Sequence, residues 1–250
     1  MLKQSVTLLF FIIFAAICHG QQGFRESQQS YPRVREAYSE KWEHVNQMLS
    51  SLELEPGAME LYLVVFKQEK QLEVWTRNEG EEQFRLLTTY EICRTSGLPG
   101  PKRMQGDLQI PEGFYHISAW NPWSNFYLSM CINYPNRSDR VLGVEGNLGG
   151  NICIHGSCVT IGCIPLTDSV IKELYILCVE AGNSGQSRIP VTIYPARLSQ
   201  DNYNQLVQEH REDEDRLNLW SDLKTAYELF ISDNQLPEIT FLPDGRHTIR

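Results

Sequence analysis

The chain has 250 residues, 42 % of them hydrophobic and 21 % charged, which is enough for one sizeable core and ordinary for a globular protein. A formal net charge of −9 and a pI near 5.2, with no basic run to offset them, exclude a nucleic-acid-binding surface.

Residues 1–20 read as a secretory signal peptide. Lys3 gives a weak positive start, Val6 to Ile17 is nearly continuous apolar yet short for a membrane span, and Cys18-His19-Gly20 precedes Gln21. A lipoprotein acylated at Cys18, beside an unsuitably large Ile17, and an uncleaved anchor are the alternatives. Export to the periplasm or cell envelope follows, and with it the possibility of disulfides. Residues 21–57 form an N-terminal segment. Gln21 to Ser30 is polar and expected to be disordered. Val34, Tyr38, Trp42, Val45, Met48, Leu49 and Leu52 follow helical spacing, and Pro56-Gly57 ends the helix, which should cap the next domain.

Residues 58–197 carry the main domain. LYLVVF, QLEVWTRN, FRLLTTYEIC and GFYHISAW are strand-like runs, and Phe126–Tyr134 and Val191–Tyr194 add more. The segment 97–106 (GLPGPKRMQG) is a loop. The fold class is α+β: a mostly antiparallel sheet with flanking helices at both ends. Residues 198–250 return to helix over 200–232, with Leu206, Leu217, Trp220, Leu223, Tyr227 and Phe230 as the buried stripe and the acidic run 212–215 on the solvated face. Pro237 to Ile249 reads as a terminal hairpin around Pro243-Asp244-Gly245.

The chemistry concentrates in Asn151–Asp168, NICIHGSCVTIGCIPLTD. His155 is followed by Gly156, and Cys163 is preceded by Gly162. A thiol attacks as thiolate, and an imidazole or a helix N-terminus lowers its pKa. NICIHG reads as a buried strand. Pro165 with Thr167 or Asp168 signals a helix start, which would put Cys163 just ahead of a helix N-terminus. Cys131 and Cys178 sit in apolar segments and read as plain core. Most of the six cysteines beyond Cys18 are expected to be buried free thiols. A rival reading makes Cys153, His155, Cys158 and Cys163 a structural zinc set, although the spacing is not a common finger spacing.

This segment resembles the L,D-transpeptidase (YkuD-like) catalytic domain family, and IHG-SCV-TIGC-IP resembles its YafK-like branch. Upstream, Gly106 to Tyr115, Tyr127-Leu128-Ser129 and Asn133 to Asn136 are similar in the same order; downstream, Trp220 to Lys224 and the C-terminal residues are similar too. The resemblance spans roughly Glu60 to Arg250 and implies a β-sandwich-like fold. It implies Cys163 as nucleophile, His155 as general base, and the Gly162 and Cys163 backbone N–H groups as oxyanion hole. With no acidic residue near His155 in sequence, the Gly156 carbonyl is the candidate for orienting the imidazole. The chain departs from the pattern at Ile161, where the family carries a second histidine, and at Pro165; both changes remove polar groups that would hold an amine acceptor.

The resemblance further implies peptidoglycan stem peptides as substrate and a wall-attached protein as a further partner; the charge argues against nucleic acid, and no metal and no cofactor are expected. The thioester on Cys163 would pass to water (an amidase or hydrolase) or to an amine (crosslinking or protein attachment). A non-catalytic wall-binding module is the alternative, and the oligomeric state is open. Lys102 and Arg103 are candidates for a stem carboxylate, set against a solvated loop. Tyr127, and with it Tyr115, are candidates for lining the cleft. Asn136-Arg137-Ser138 matches a glycosylation sequon without further support.

Overall fold

Met59–Phe66, MELYLVVF, is apolar on both sides of the alternation, as a strand must be when both faces of its sheet are covered. In the computed structural model, which describes residues 23–250, this strand (β1) lies inside a sheet of eight strands. The others are β2 (Gln71–Asn78), β3 (Arg85–Glu91), β4 (Gly113–Asn121), β5 (Ser129–Ile132), β6 (Cys153–His155), β7 (Ile164–Pro165) and β8 (Pro190–Tyr194). They run in the order β3-β2-β1-β8-β4-β5-β6-β7. Pairing is antiparallel except at β1–β8 and β6–β7, which are parallel. The α+β class expected from the sequence is the one observed. The signal-peptide reading of residues 1–20, with Cys18, lies outside the described residues.

Leu61, Leu63 and Val65 of β1 enter one core, and Tyr62, Val64 and Phe66 enter a second on the opposite face. The first core is covered by α4 (Asp168–Asn183) and then by α2 (Pro32–Ser51). Helix α4 is buried from Ile171 to Ala181, its charged residues included. Helix α2 satisfies those charges. The Tyr38 hydroxyl donates to Glu180 at 2.6 Å, Lys41 pairs with Glu173 at 2.8 Å, and Lys172 pairs with Glu36 and Glu40, both at 2.7 Å. Residues 23–29 are helical (α1), so this part of the polar stretch expected to be disordered is ordered. The reason is local: Arg25 pairs with Glu180, and Gln28 accepts a 2.7 Å hydrogen bond from Tyr175.

The second core is covered by α5 (Gln200–Glu209), α6 (Glu214–Asp233) and the hairpin β9 (Ile239–Phe241)–β10 (His247–Ile249). The single helix expected over 200–232 is two helices. Asp213 accepts from the Arg216 N–H and caps α6, and Glu214 and Asp215 place negative charge in its first turn. The acidic run therefore marks a helix start rather than a continuous solvated face. A short helix missed in the sequence, α3 (Arg137–Leu142), is closed by a capping box between Asn136 and Asp139. The sequon asparagine is buried in that cap, and its amide donates to the Phe114 carbonyl.

One buried ion pair holds the long 97–112 loop to this frame. The Lys67 ammonium, on the end of β1, donates to Glu112 at 2.7 Å and to the carbonyls of Gly100 and Ile110, both at 2.9 Å. Glu112 also accepts from the Gly100 N–H at 2.8 Å and from the Trp220 indole at 2.7 Å. Every polar partner is matched, so removing one leaves a buried charge alone. Glu112→Ala should lower unfolding free energy by about 3–5 kcal/mol in urea titration. A loss below about 1 kcal/mol would show that the pair does not hold the loop.

Candidate active site

The site starts from a register. Strands β6 and β7 pair with Ile154 beside Ile164 and His155 beside Pro165. Both isoleucines are fully buried in the first core. Side chains alternate along a strand, so Cys153 and His155 turn to the other face, and Cys163, next before Ile164, turns with them. His155 and Cys163 line one cavity of about 660 Å³, together with Arg94, Lys102, Phe126 and Ile161. A larger hollow of about 1020 Å³ lies open at Gln208–Asp215 and, among the described residues, is lined by neither His155 nor a cysteine.

Two glycines are required here by their surroundings. Gly162 has φ +135°, and a Cβ on it would lie 3.0 Å from the Gln109 carbonyl oxygen. A Cβ on Gly156 would lie 2.5 Å from Asp168 Oδ1 and 2.9 Å from the Phe126 carbonyl. The chain between them is tightly turned, with Ser157 and Cys158 both at positive φ. It is clasped by a disulfide from Cys158 to Cys93. A second disulfide joins Cys131 and Cys153, which face each other across β5 and β6. The expectation of mostly free thiols is therefore corrected, and Cys131 is not simply core. The zinc reading is corrected as well, since Cys153 and Cys158 are both consumed. Among the described residues Cys163 and Cys178 are free, and Cys178 is fully buried in α4.

His155 is 2 % exposed and stacks on Phe126 with ring centroids 4.6 Å apart. Its Nδ1 donates to the Gly156 carbonyl at 2.5 Å. A carbonyl only accepts, so the proton sits on Nδ1 and the neutral ring keeps its Nε2 lone pair. Burial holds the imidazole below its ordinary pKa of 6.5, against the opposing effect of the Gly156 carbonyl. The ring is a neutral base at pH 7.

Cys163 departs from expectation in its electrostatics. Strand β7 intervenes before the helix, which starts at Asp168 with Thr167 as its cap, so the thiol does not sit at the helix N-terminus. Burial raises its pKa above the ordinary 9.0; a hydrogen bond from the Cys153 backbone and the Lys102 charge pull the other way and do not prevail. The expected oxyanion hole is also halved. The Gly162 N–H already donates to Thr160 Oγ1 at 3.0 Å, while the Cys163 N–H has no partner among the described residues. Thr160 in turn donates to the Cys163 carbonyl at 2.7 Å, which fixes the turn.

The remaining candidates fall in different places. Lys102 lines the cavity, but it is 4 % exposed and bonded to Asp107 at 2.6 Å and to the Met104 carbonyl at 2.8 Å, so neither the solvated-loop reading nor a free carboxylate ligand describes it. Arg103 lies outside the cavity lining and pairs with Asp139 at 3.3 Å. Tyr127 is not a lining residue either: its hydroxyl donates to Glu36 at 2.8 Å, and its ring lies under Arg33 and Lys172. Its carbonyl accepts from Arg33 at 2.7 Å, which fixes the turn carrying Phe126. Tyr115 is buried against Asp139. Phe126 and Arg94 were missed in sequence. Nothing in the spacing marks Phe126, and for Arg94 only its place beside Cys93 was visible.

Comparison with known proteins gives the family. Residues 60–193 match the family model for the YkuD L,D-transpeptidase catalytic domain. The chain is 34 % identical over 191 residues to "Putative L,D-transpeptidase YafK" of Escherichia coli K12, covering 76 % of this chain and 73 % of that protein. The protein of the same name from Escherichia coli O157:H7 matches to the same extent. Among solved structures, the helical cell shape determining protein Pgp2 from Campylobacter jejuni aligns at 19 % identity and a TM-score of 0.44, covering 79 % of this chain and 80 % of that one. The chain belongs to the YkuD L,D-transpeptidase catalytic-domain family.

A depressed imidazole and a raised thiol describe a neutral pair at pH 7, not a thiolate–imidazolium pair. Alkylation of Cys163 by iodoacetamide should therefore climb with pH toward a midpoint above 9.0. Fast alkylation, flat from pH 5 to 8, would contradict the neutral pair.

Proposed function

We propose that the protein is an exported cysteine acyltransferase that cleaves an amide of a peptidoglycan stem peptide and passes the acyl group mainly to water. The observation that carries the reading is the presence in one cavity of the solvent-reachable thiol of Cys163 and an imidazole whose free nitrogen is set by a carbonyl. Family membership supports the chemistry and the substrate class. The two disulfides support an oxidising, exported setting.

In the proposed cycle, Nε2 of His155 takes the Cys163 thiol proton as the sulfur attacks the amide carbonyl carbon. The Cys163 N–H donates to the oxyanion. The carbon–nitrogen bond breaks, the imidazolium returns the proton to the leaving amine, and a thioester remains. Nε2 then deprotonates a water, which attacks the thioester carbon. The carbon–sulfur bond breaks, giving a free carboxylate and the restored thiol. Gly156 acts through His155, by fixing its tautomer.

Hydrolysis is favoured over crosslinking by the cavity wall. Among the described residues, Arg94 and Lys102 are its charged lining residues, and no carboxylate lines it. Ile161, 79 % exposed, stands where the family carries histidine. An amine acceptor bearing an ammonium group meets cations and an apolar side chain, and so gains no effective concentration over water. An amine resolving the thioester, giving a crosslink or an attached wall protein, is the minor route. Purified protein incubated with muropeptides and excess diamino-acid acceptor should yield mainly hydrolysed product, and His155→Ala should slow turnover by roughly a hundredfold to ten-thousandfold. A mixture dominated by crosslinks would return the protein to transpeptidation. Full activity of folded Cys163→Ala would remove the thiol mechanism.

A further inference from the structure

We infer that Arg94 is a substrate-binding residue that holds a carboxylate of the acyl-donor peptide against the mouth of the cavity. The inference rests on the proposed action on stem peptides and names the residue that recognises them.

Three observations carry it. The first is charge: the chain as a whole carries −9, yet among the described residues the cavity around Cys163 has cations and no carboxylate in its lining. The second is availability. Lys102 is buried, with two of its three donors committed to Asp107 and the Met104 carbonyl, so it contributes mainly field. Arg94 is exposed and, among the described residues, makes no side-chain hydrogen bond or ion pair. Its planar fork of donors suits bidentate contact with a carboxylate. The third is placement. The neighbouring Cys93 is bonded to Cys158 and donates its N–H to the Pro165 carbonyl at 3.1 Å. The backbone carrying Arg94 is thereby fastened to the same turn that presents Cys163.

The rest of the rim narrows the choice of ligand group. Leu108, Val159 and Ile161 line the cavity and are 48 %, 45 % and 79 % exposed. They can cover methyl and methylene groups of a peptide but offer it no polar partner. A peptide with free carboxylates then has one open charged contact in this wall, and the family's polar groups near the thiol are absent at Ile161 and Pro165.

The test pairs a protein change with a substrate change. Kinetics of the full chain would be measured on a disaccharide peptide with free carboxylates and on analogues amidated at one carboxylate each. Wild type should lose roughly tenfold to a hundredfold in kcat/KM, mainly through KM, on one of the amidated analogues, the size of a charged hydrogen-bond pair. Arg94→Gln should show the same loss on the free peptide and no further loss on that analogue, while Arg94→Lys recovers part of it. Equal KM for wild type and Arg94→Gln, indifference of wild type to every amidation, or fully additive losses would each overturn the assignment. Calorimetric binding of the same peptides to Cys163→Ala, with and without Arg94→Gln, reads the contact without turnover. An Arg94-dependent carboxylate preference in binding would sustain it even if the thiol chemistry failed.

Discussion

The site depends on two buried side chains that take no part in chemistry. Ile154 and Ile164 lie side by side on adjacent parallel strands, and both are fully enclosed by the core under α4. A strand that buries one set of side chains must present the alternate set on the other face, and a slip of one residue would exchange them. That constraint turns His155 and Cys163 into one cavity although a tight turn separates them in sequence. Other features hold the turn in shape. Gly162 admits the Gln109 carbonyl, Gly156 admits Asp168 and Phe126, and the Cys93–Cys158 disulfide closes the outside. Gln109 in turn belongs to the loop pinned by Lys67 and Glu112.

The helices outside the sheet reach the site through backbone contacts. Arg33 of α2 donates to the carbonyls of Ser124 and Tyr127 at 2.6 and 2.7 Å, and the turn so fixed lays Phe126 on the imidazole. The stacking ring adds to the burial that keeps the imidazole neutral. The N-terminal segment thus helps to position and desolvate His155 while it neutralises the buried charges of α4. Burial at both groups leaves the imidazole and the thiol in their neutral forms.

Much of this was legible in the chain. The alternating runs from Met59 onward announced the strands, and His155-Gly156 and Gly162-Cys163 announced two residues that line one cavity, each beside a glycine its surroundings require. The misreadings have physical causes. A helix-start signal at Pro165–Asp168 was visible, but two residues of strand pairing at Ile164–Pro165 depend on a partner that is distant in local pattern, so the thiol was set too near the helix. Disulfide partners are set by tertiary register, as at Cys131 and Cys153, and no spacing rule reveals them. Residues 23–29 are polar because they bond to Glu180 and Tyr175 across a groove, and composition alone reads such polarity as disorder. Tyr127 looked like a cleft residue by type, whereas its backbone conformation and its contacts to α2 make it a support for Phe126.

The central claim is that Cys163 is the atom that becomes acylated, with His155 as its base. The most direct measurement is mass spectrometry of the acid-quenched protein during turnover, with peptide mapping of the adduct. The account predicts a stem-peptide acyl group on the peptide containing Cys163, lost on hydroxylamine treatment as a thioester should be, and absent in Cys163→Ser. An adduct on Cys178 or on any non-cysteine residue, or steady turnover by Cys163→Ser, would contradict it.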